Sequence, residues 1–434
     1  MVARASTPPL SPGNRWVWTP GREAVNRTEA FLFAGAVATI ALHAAVDSFI
    51  APEPGTDAAD HVLRGLASLG VLALAAVVYP RLPLGGRAVL AAVLGALALE
   101  GAGLAVADAR AVGARGEDWT GFLLVPVGIA LVATAVKLLW HSRKPGPFRW
   151  LRRAGLALGA LVCVYWLVLP VGMAILATHR PRADVRPADL GRPYEEAMLR
   201  TSDGLGLAAW YVPSRNGAAV IVYPTRQGKL QQARMLVRHG YGVLLVDARG
   251  YDGSEGDPNL FGWDDVKDID AAVTWLQSRP DVQEDRIGGM GFSVGGEMML
   301  QAAASDSGLR AVVSEGAGVR SVREDLLRGP RGWFALPEAA VQSAALTVLT
   351  GTPPPPALDD LVARIAPRPL FLIYAGRGGG GEELNPKYFE SALDPKTLWK
   401  IDDAEHVGGF DARPRAYESR VIAFFDRALL ESSG

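Results

Sequence analysis

Only one cysteine, Cys163, occurs in the 434 residues, which excludes an intrachain disulfide framework and any multi-cysteine metal site. Histidine is nearly as scarce. His43, His61, His141, His179, His239 and His406 are scattered, without the clustered spacing of a metal centre. A Gly-x-x-x-x-Gly-Lys phosphate loop is also missing, so neither a metal nor an organic cofactor is expected. Charged residues amount to 21% and the net charge is -1, which removes any global electrostatic argument for a nucleic acid partner. Apolar residues are what the chain has in excess. At 49% hydrophobic residues and a mean hydropathy of +0.15, it does not read as collagen, coiled coil or a disordered polymer.

The excess is concentrated in the first half. Five apolar runs span about residues 30–50, 62–79, 88–107, 119–140 and 154–178. Roughly 20 helical residues cross a hydrocarbon core. Four runs reach that length, and the second reads as short, either tilted or re-entrant. The lateness of the first run and its four successors argue against a cleaved leader. Basic residues gather in alternate connections: Arg4, Arg15, Arg22 and Arg27, then Arg81 and Arg87, then Arg143, Lys144, Arg149, Arg152 and Arg153. Those segments hold 11 Lys/Arg, against 3 in the other two loops, Arg64, Arg110 and Arg115. Basic loops stay in the cytoplasm. Five spans then carry the second half to the other side of the cell membrane. The polar residues His43, Asp47 and Glu100 read as packed inside the bundle or near helix ends rather than as an ion path.

Residues 1–28 thus read as a basic tail, 29–178 as a membrane domain, 179–193 as a linker and 194–434 as an α/β domain. In the α/β domain, short β-rich runs alternate with helical ones. Strands are predicted at 218–223, 242–250, 309–318, 369–376 and 398–403, and helices at 230–239, 264–278 and 413–430. Residues 286–304 read as strand, sharp turn and helix. The alternation implies a mostly parallel sheet with helices on both faces. Residues 319–366, with Pro353 to Pro356, interrupt it and are expected to form a lid or insertion.

The sharpest motif is Gly291-Phe292-Ser293-Val294-Gly295. A serine presented between a strand and a helix needs a strained backbone with no side chains on either flank, which the two glycines supply. With this motif go the segments Asp247–Asp257 (DARGYDGSEGD), Arg279–Gly296 (RPDVQEDRIGGMGFSVGG) and Ala404–Gly409 (AEHVGG). On these pieces residues 194–430 resemble the α/β-hydrolase superfamily, in particular its dienelactone-hydrolase and acyl-peptidase-like branches. The resemblance implies serine-dependent hydrolysis of an ester, amide or similar acyl bond of a small-molecule, lipid or peptide substrate.

In this architecture the catalytic order is serine, acid, histidine. Only His406 follows Ser293. The acid is expected after the strand at 369–376, where Glu382 and Glu383 stand, with Glu383 slightly preferred; Glu315 is an alternative. For the oxyanion hole, Val294 supplies one backbone donor. The His-Gly common in the family is replaced by Tyr223-Pro224-Thr225-Arg226-Gln227, so Thr225 or Arg226 must supply the second, because Pro224 has no N–H. This departure leaves open a catalytically degenerate sensor or binding module. A transporter is disfavoured by the few intramembrane charges. The sequence leaves the substrate and the oligomeric state open; the lipid bilayer is the one partner it names.

Overall fold

The computed structural model describes residues 26–52, 56–112, 118–141, 151, 154–155, 158–159, 162–179, 185–226, 228–305 and 308–431. The basic tail up to residue 25, the basic loop at 142–150 with Arg152 and Arg153, Arg115, and residues 180–184 of the linker lie outside these.

The first half is helical. Asn26 caps α1 (Arg27–Ala45) through its side chain, which accepts from the Thr28 N–H at 3.1 Å, and the helix runs on through a π-turn to Ile50. α2 (Val62–Val78), α3 (Leu84–Val112) and α4 (Asp118–His141) follow. Among the described residues, four helices are long and apolar enough to cross a membrane: Arg27–Ile50, Val62–Arg81, Leu84–Val106 and Trp119–Trp140. The second run is therefore not short. A 3-10 turn at Tyr79–Arg81 prolongs α2 past the point where the apolar pattern ends. The fifth run is described without a break only from residue 162. It gives a π-turn at Val164–Val168 and then α5 (Leu169–Thr178). Phe31, Leu63, Leu66 and Ile129 point outward and are exposed. Helices apolar on all sides need an apolar surround, since water would leave a large patch unsatisfied. Small residues let α3 and α4 approach closely: a Cβ on Gly128 would stand 2.9 Å from the Gly95 carbonyl oxygen. At the α1 N-terminal end, Glu29 accepts from Arg87 and from the Tyr79 hydroxyl, both at 3.0 Å. At the other end, Asp47 pairs with His179 at 3.3 Å and His43 with Thr120 at 3.0 Å, so these polar groups have partners inside the protein.

The second half is an α/β domain around eight strands: β1 (Glu195–Arg200), β2 (Gly206–Val212), β3 (Ala219–Tyr223), β4 (Gly242–Val246), β5 (Ile287–Phe292), β6 (Ala311–Glu315), β7 (Leu370–Ala375) and β8 (Lys396–Ile401). Their order is β1-β2-β4-β3-β5-β6-β7-β8. β1 and β2 are antiparallel to their neighbours, and β3 to β8 run parallel. Successive side chains of a strand face opposite sides. Ile221 and Leu244 accordingly enter one core, with α7 (Val266–Gln277) and α8 (Val294–Ala304). Val220 and Leu245 enter the other, with α6 (Leu230–Arg238) and the C-terminal helix α12 (Pro414–Phe425). Covering both faces is why the parallel strands read as continuous apolar runs. Each fully buried Val, Leu or Ile contributes roughly 1.5–3 kcal/mol.

Between β6 and β7, α9 (Val322–Leu327) starts with a capping box formed by Ser321 and Glu324. α10 (Pro330–Thr350) then runs to Gly351, whose left-handed backbone ends it. α10 packs along α5 and α2. Leu346 and Trp263 close on Ala174 and Ala177 of α5, and the Leu260 N–H donates to the Ala177 carbonyl at 2.9 Å. Arg64 of α2 pairs with Asp257 at 2.7 Å. The α/β domain thus sits at the end of the bundle opposite Arg27, Arg81 and Arg87.

Candidate active site

Ser293 follows β5 and precedes α8, where the strand order reverses between β3 and β5. Open α/β sheets bind ligands at that reversal. Its backbone lies at φ 53°, ψ -125°, outside the ordinary regions for a residue with a side chain. The flanking glycines are required by contact. A Cβ on Gly291 would stand 2.1 Å from the Gly295 carbonyl oxygen, and one on Gly295 would stand 2.6 Å from that of Tyr223. The Ser293 N–H is held by the Glu315 carbonyl at 2.8 Å. The turn therefore carries the serine hydroxyl up from the strand end at the mouth of a helix.

His406 arrives from the loop after β8. Its Nε2 lies 2.9 Å from the Ser293 hydroxyl oxygen, and its Nδ1 bonds the Glu382 carboxylate. Glu382 sits in a 3-10 turn, Glu382–Leu384, just after β7 and ahead of α11 (Asn385–Ser391). It is 1% exposed, and its second oxygen accepts the Ala375 N–H at 2.8 Å. Glu383, the acid preferred from sequence, stands elsewhere. It is 47% exposed and accepts from Arg328 at 2.8 Å. Neighbouring residues in a tight turn diverge, so only one of the pair can face inward. Glu315 does not reach the imidazole. One of its oxygens accepts the Gly409 N–H at 2.8 Å and the other the Tyr417 hydroxyl, which anchors the loop carrying His406. The Lys229 ammonium adds a bond to the Val407 carbonyl at 2.9 Å.

Val294 opens α8, so its N–H has no intrahelical acceptor. The Tyr223–Pro224 pair lies against Gly295, and the hydroxyl of Thr225, next in the chain, donates to Asp247 at 3.4 Å. Arg226 is committed elsewhere: its N–H and Nε both donate to the buried Asp247 carboxylate, at 2.7 and 2.6 Å. Asp247 is thus a structural anchor.

The hydrogen bond that His406 donates to Glu382 raises the His406 pKa above its ordinary value, against the opposing effect of burial. Burial pushes the Glu297 carboxyl up to about 7, with the nearby Arg320 charge pulling the other way. Burial also raises Glu315.

Ser293 and His406 open into a cavity of about 460 Å³, within the usual range for small-molecule pockets. One wall is α10, through Ala339, Gln342, Ser343 and Leu346; Phe261, Trp263, Val319 and Val322 add apolar surface. Glu297 and Arg320 also line it, and neither was singled out from sequence. Glu297 lies four residues after the serine, on the same face of α8, a spacing that could have flagged it. Nothing local marks Arg320, which is 9% exposed and makes no side-chain hydrogen bond. Among the described residues, no group of three or more His, Cys, Asp and Glu converges as a metal site would.

Residues 182–399, just over half of the chain, match the family model described as X-Pro dipeptidyl-peptidase (S15 family). The chain belongs to the S15 family. Relatives of this S15 chain include the Escherichia coli (strain K12) protein YfhR, 26% identical over 255 residues that cover 54% of this chain and 81% of YfhR. The Arabidopsis thaliana alpha/beta hydrolase domain-containing protein WAV2 is 32% identical over 120 residues, 26% of this chain and 38% of WAV2. Among solved structures, the Pyrococcus furiosus esterase Pf2001 aligns with a TM-score of 0.47 and 23% identity, covering 57% of this chain and 99% of the esterase. The fold is that of an α/β-hydrolase, preceded by apolar helices, and the family is one of hydrolases.

Proposed function

We propose that the chain is a membrane-anchored serine hydrolase that cleaves an ester, amide or related acyl bond through Ser293, His406 and Glu382. One observation carries this reading: a single imidazole bonds the serine hydroxyl on one nitrogen and a buried carboxylate on the other. A serine hydroxyl is a weak nucleophile at neutral pH and needs such a base. Ser293 Oγ attacks the carbonyl carbon and its proton passes to His406 Nε2. The carbon–leaving-group bond breaks and the leaving group takes that proton. Water then adds to the acyl carbon, giving one proton to His406; the carbon–Oγ bond breaks, Ser293 Oγ takes that proton back, and the acid leaves. Glu382 holds the tautomer and stabilises the imidazolium. The Val294 and Thr225 N–H groups receive the oxyanion. The test is fluorophosphonate labelling of the full-length protein in membranes. Labelling of wild type that vanishes in Ser293→Ala supports the reading. A folded wild type that takes no label points to a binding module on a hydrolase scaffold.

The anchor is read as five spans with the N-terminus in the cytoplasm and the hydrolase domain outside it. Support comes from Arg27, Arg81 and Arg87, which gather at the end of the bundle remote from the α/β domain. A cysteine placed at the exposed Leu393, in a Cys163→Ser background, should react with a membrane-impermeant maleimide in intact cells. Reaction only after lysis would reverse the orientation.

A further inference from the structure

The cavity beside Ser293 shares a wall with the membrane domain. α10 presents Ala339, Gln342, Ser343 and Leu346 to the cavity. The same helix packs on α5 and on α2, which is part of a membrane-length apolar helix. Leu346 belongs to both contacts, lining the cavity and closing on Ala174 and Ala177 of α5. Only Arg331 and Glu338 carry charge along the 21 residues of α10. Near its start Trp333 and Phe334 are 65% and 60% exposed. Phe334 packs against Tyr165 and Trp166 of the fifth apolar run, with ring centroids 5.6 and 5.8 Å away. Exposed aromatics beside apolar helices are the composition of a membrane–water boundary. A helix facing water would not carry that surface.

We infer that the substrate is an acyl amphiphile resident in the bilayer, whose acyl chain lies along α10 while its carbonyl carbon reaches Ser293. The inference rests on the serine-hydrolase reading and adds the substrate class. The occupant is argued from continuity: one helix is at once a wall of the reaction cavity and a packing partner of the membrane helices. Phe261, Trp263, Val319 and Val322 give the cavity an apolar side, while Glu297, Arg320, Asp325 and Gln342 give it a polar one, so it suits a molecule that has both a hydrocarbon chain and a polar head. A soluble, polar acyl donor would forfeit that burial.

The experiment uses the full-length protein in phosphatidylcholine vesicles, with p-nitrophenyl acetate and p-nitrophenyl dodecanoate as probes. Fluorophosphonate labelling is measured in parallel. Ala339→Trp and Ser343→Trp place bulk on the cavity wall at positions that are only half-buried. Wild type is expected to favour dodecanoate in kcat/KM by about 10-fold or more, since methylene recognition accumulates along a chain. Both wall variants are expected to lose most of that preference, read as the ratio of the two kcat/KM values, whatever change they bring to the acetate rate itself. Equal turnover of the two esters by labelled wild type, or wall variants that depress both esters alike while still labelling, overturns the inference alone. A wild type that takes no label overturns the serine-hydrolase reading, and this inference with it.

Discussion

Glu382 and His406 are joined across 24 residues of chain by a bond between a fully buried carboxylate and Nδ1 of a half-exposed imidazole. The carboxylate cannot swing away, because its other oxygen is tied to the Ala375 N–H at the end of β7. The C-terminal end of β7 thereby sets the direction of the imidazole, and the Gly409–Glu315 bond sets its height. Both restraints act before any substrate arrives, as preorganisation requires.

This arrangement separates two adjacent glutamates. Glu382→Gln keeps the shape but removes the charge and the correct tautomer, and should lower kcat by about 1,000- to 10,000-fold. Glu383→Gln breaks only an exposed pair with Arg328 and should stay within about threefold of wild type. Steady-state kinetics on any ester that wild type turns over will check this. Equal losses in the two variants would remove Glu382 from the proposed role.

The pH profile follows from His406. The general base must be neutral, so kcat/KM rises with pH as the imidazole loses its proton. Its pKa is raised by Glu382, which moves the acidic limb above the ordinary histidine value of about 6.5. Neutralising Glu382 should move the residual limb back down. A limb at or below the ordinary value in wild type would contradict the hydrogen bond as drawn.

The serine turn should be intolerant of a single methyl group. Gly295→Ala would put a Cβ 2.6 Å from the Tyr223 carbonyl oxygen and 2.8 Å from Pro224 Cδ, neither of which is the end of a flexible side chain. Overpacking of this kind costs about 1–3 kcal/mol. The relief available is displacement of Val294 or Thr225, so labelling should fall even where the protein still folds. Fluorophosphonate labelling rate together with a thermal melt separates the two effects.

Glu297 gives a stability signature. Its folded pKa of about 7 lies above the ordinary 4.5, so the native state holds its proton more tightly than the unfolded chain. Stability from this group is complete below the unfolded value and is lost as pH rises to about 7. The loss is on the order of 3 kcal/mol at about 1.4 kcal/mol per pKa unit. Glu297→Gln removes the titration, so its Tm advantage over wild type should grow between about pH 5 and pH 7. A constant offset across that window would count against the buried carboxyl.

The sequence by itself settled the architecture where burial is uniform. Parallel strands covered on both faces leave continuous apolar runs, so β3 to β7 could be located from Ala219 to Ala375 without any partner in view. The glycines around Ser293 were legible because their contacts lie within four residues of one another and with a segment of fixed type. His406 was legible from chain order, as the one histidine beyond the serine. Tertiary structure decided what local pattern leaves degenerate. Glu382 and Glu383 are identical side chains one residue apart, and only the turn after β7 aims the first inward. The length of α2 depended on a 3-10 turn through Pro80 and Arg81, which an apolar run does not signal. The sequence marked 319–366 as a lid or insertion, but not that its helix α10 would wall the cavity against the membrane helices. Its apolar face is the same whether it covers a core, a cavity or a membrane helix, and only packing against Ala174 and Ala177 shows that it meets both of the latter.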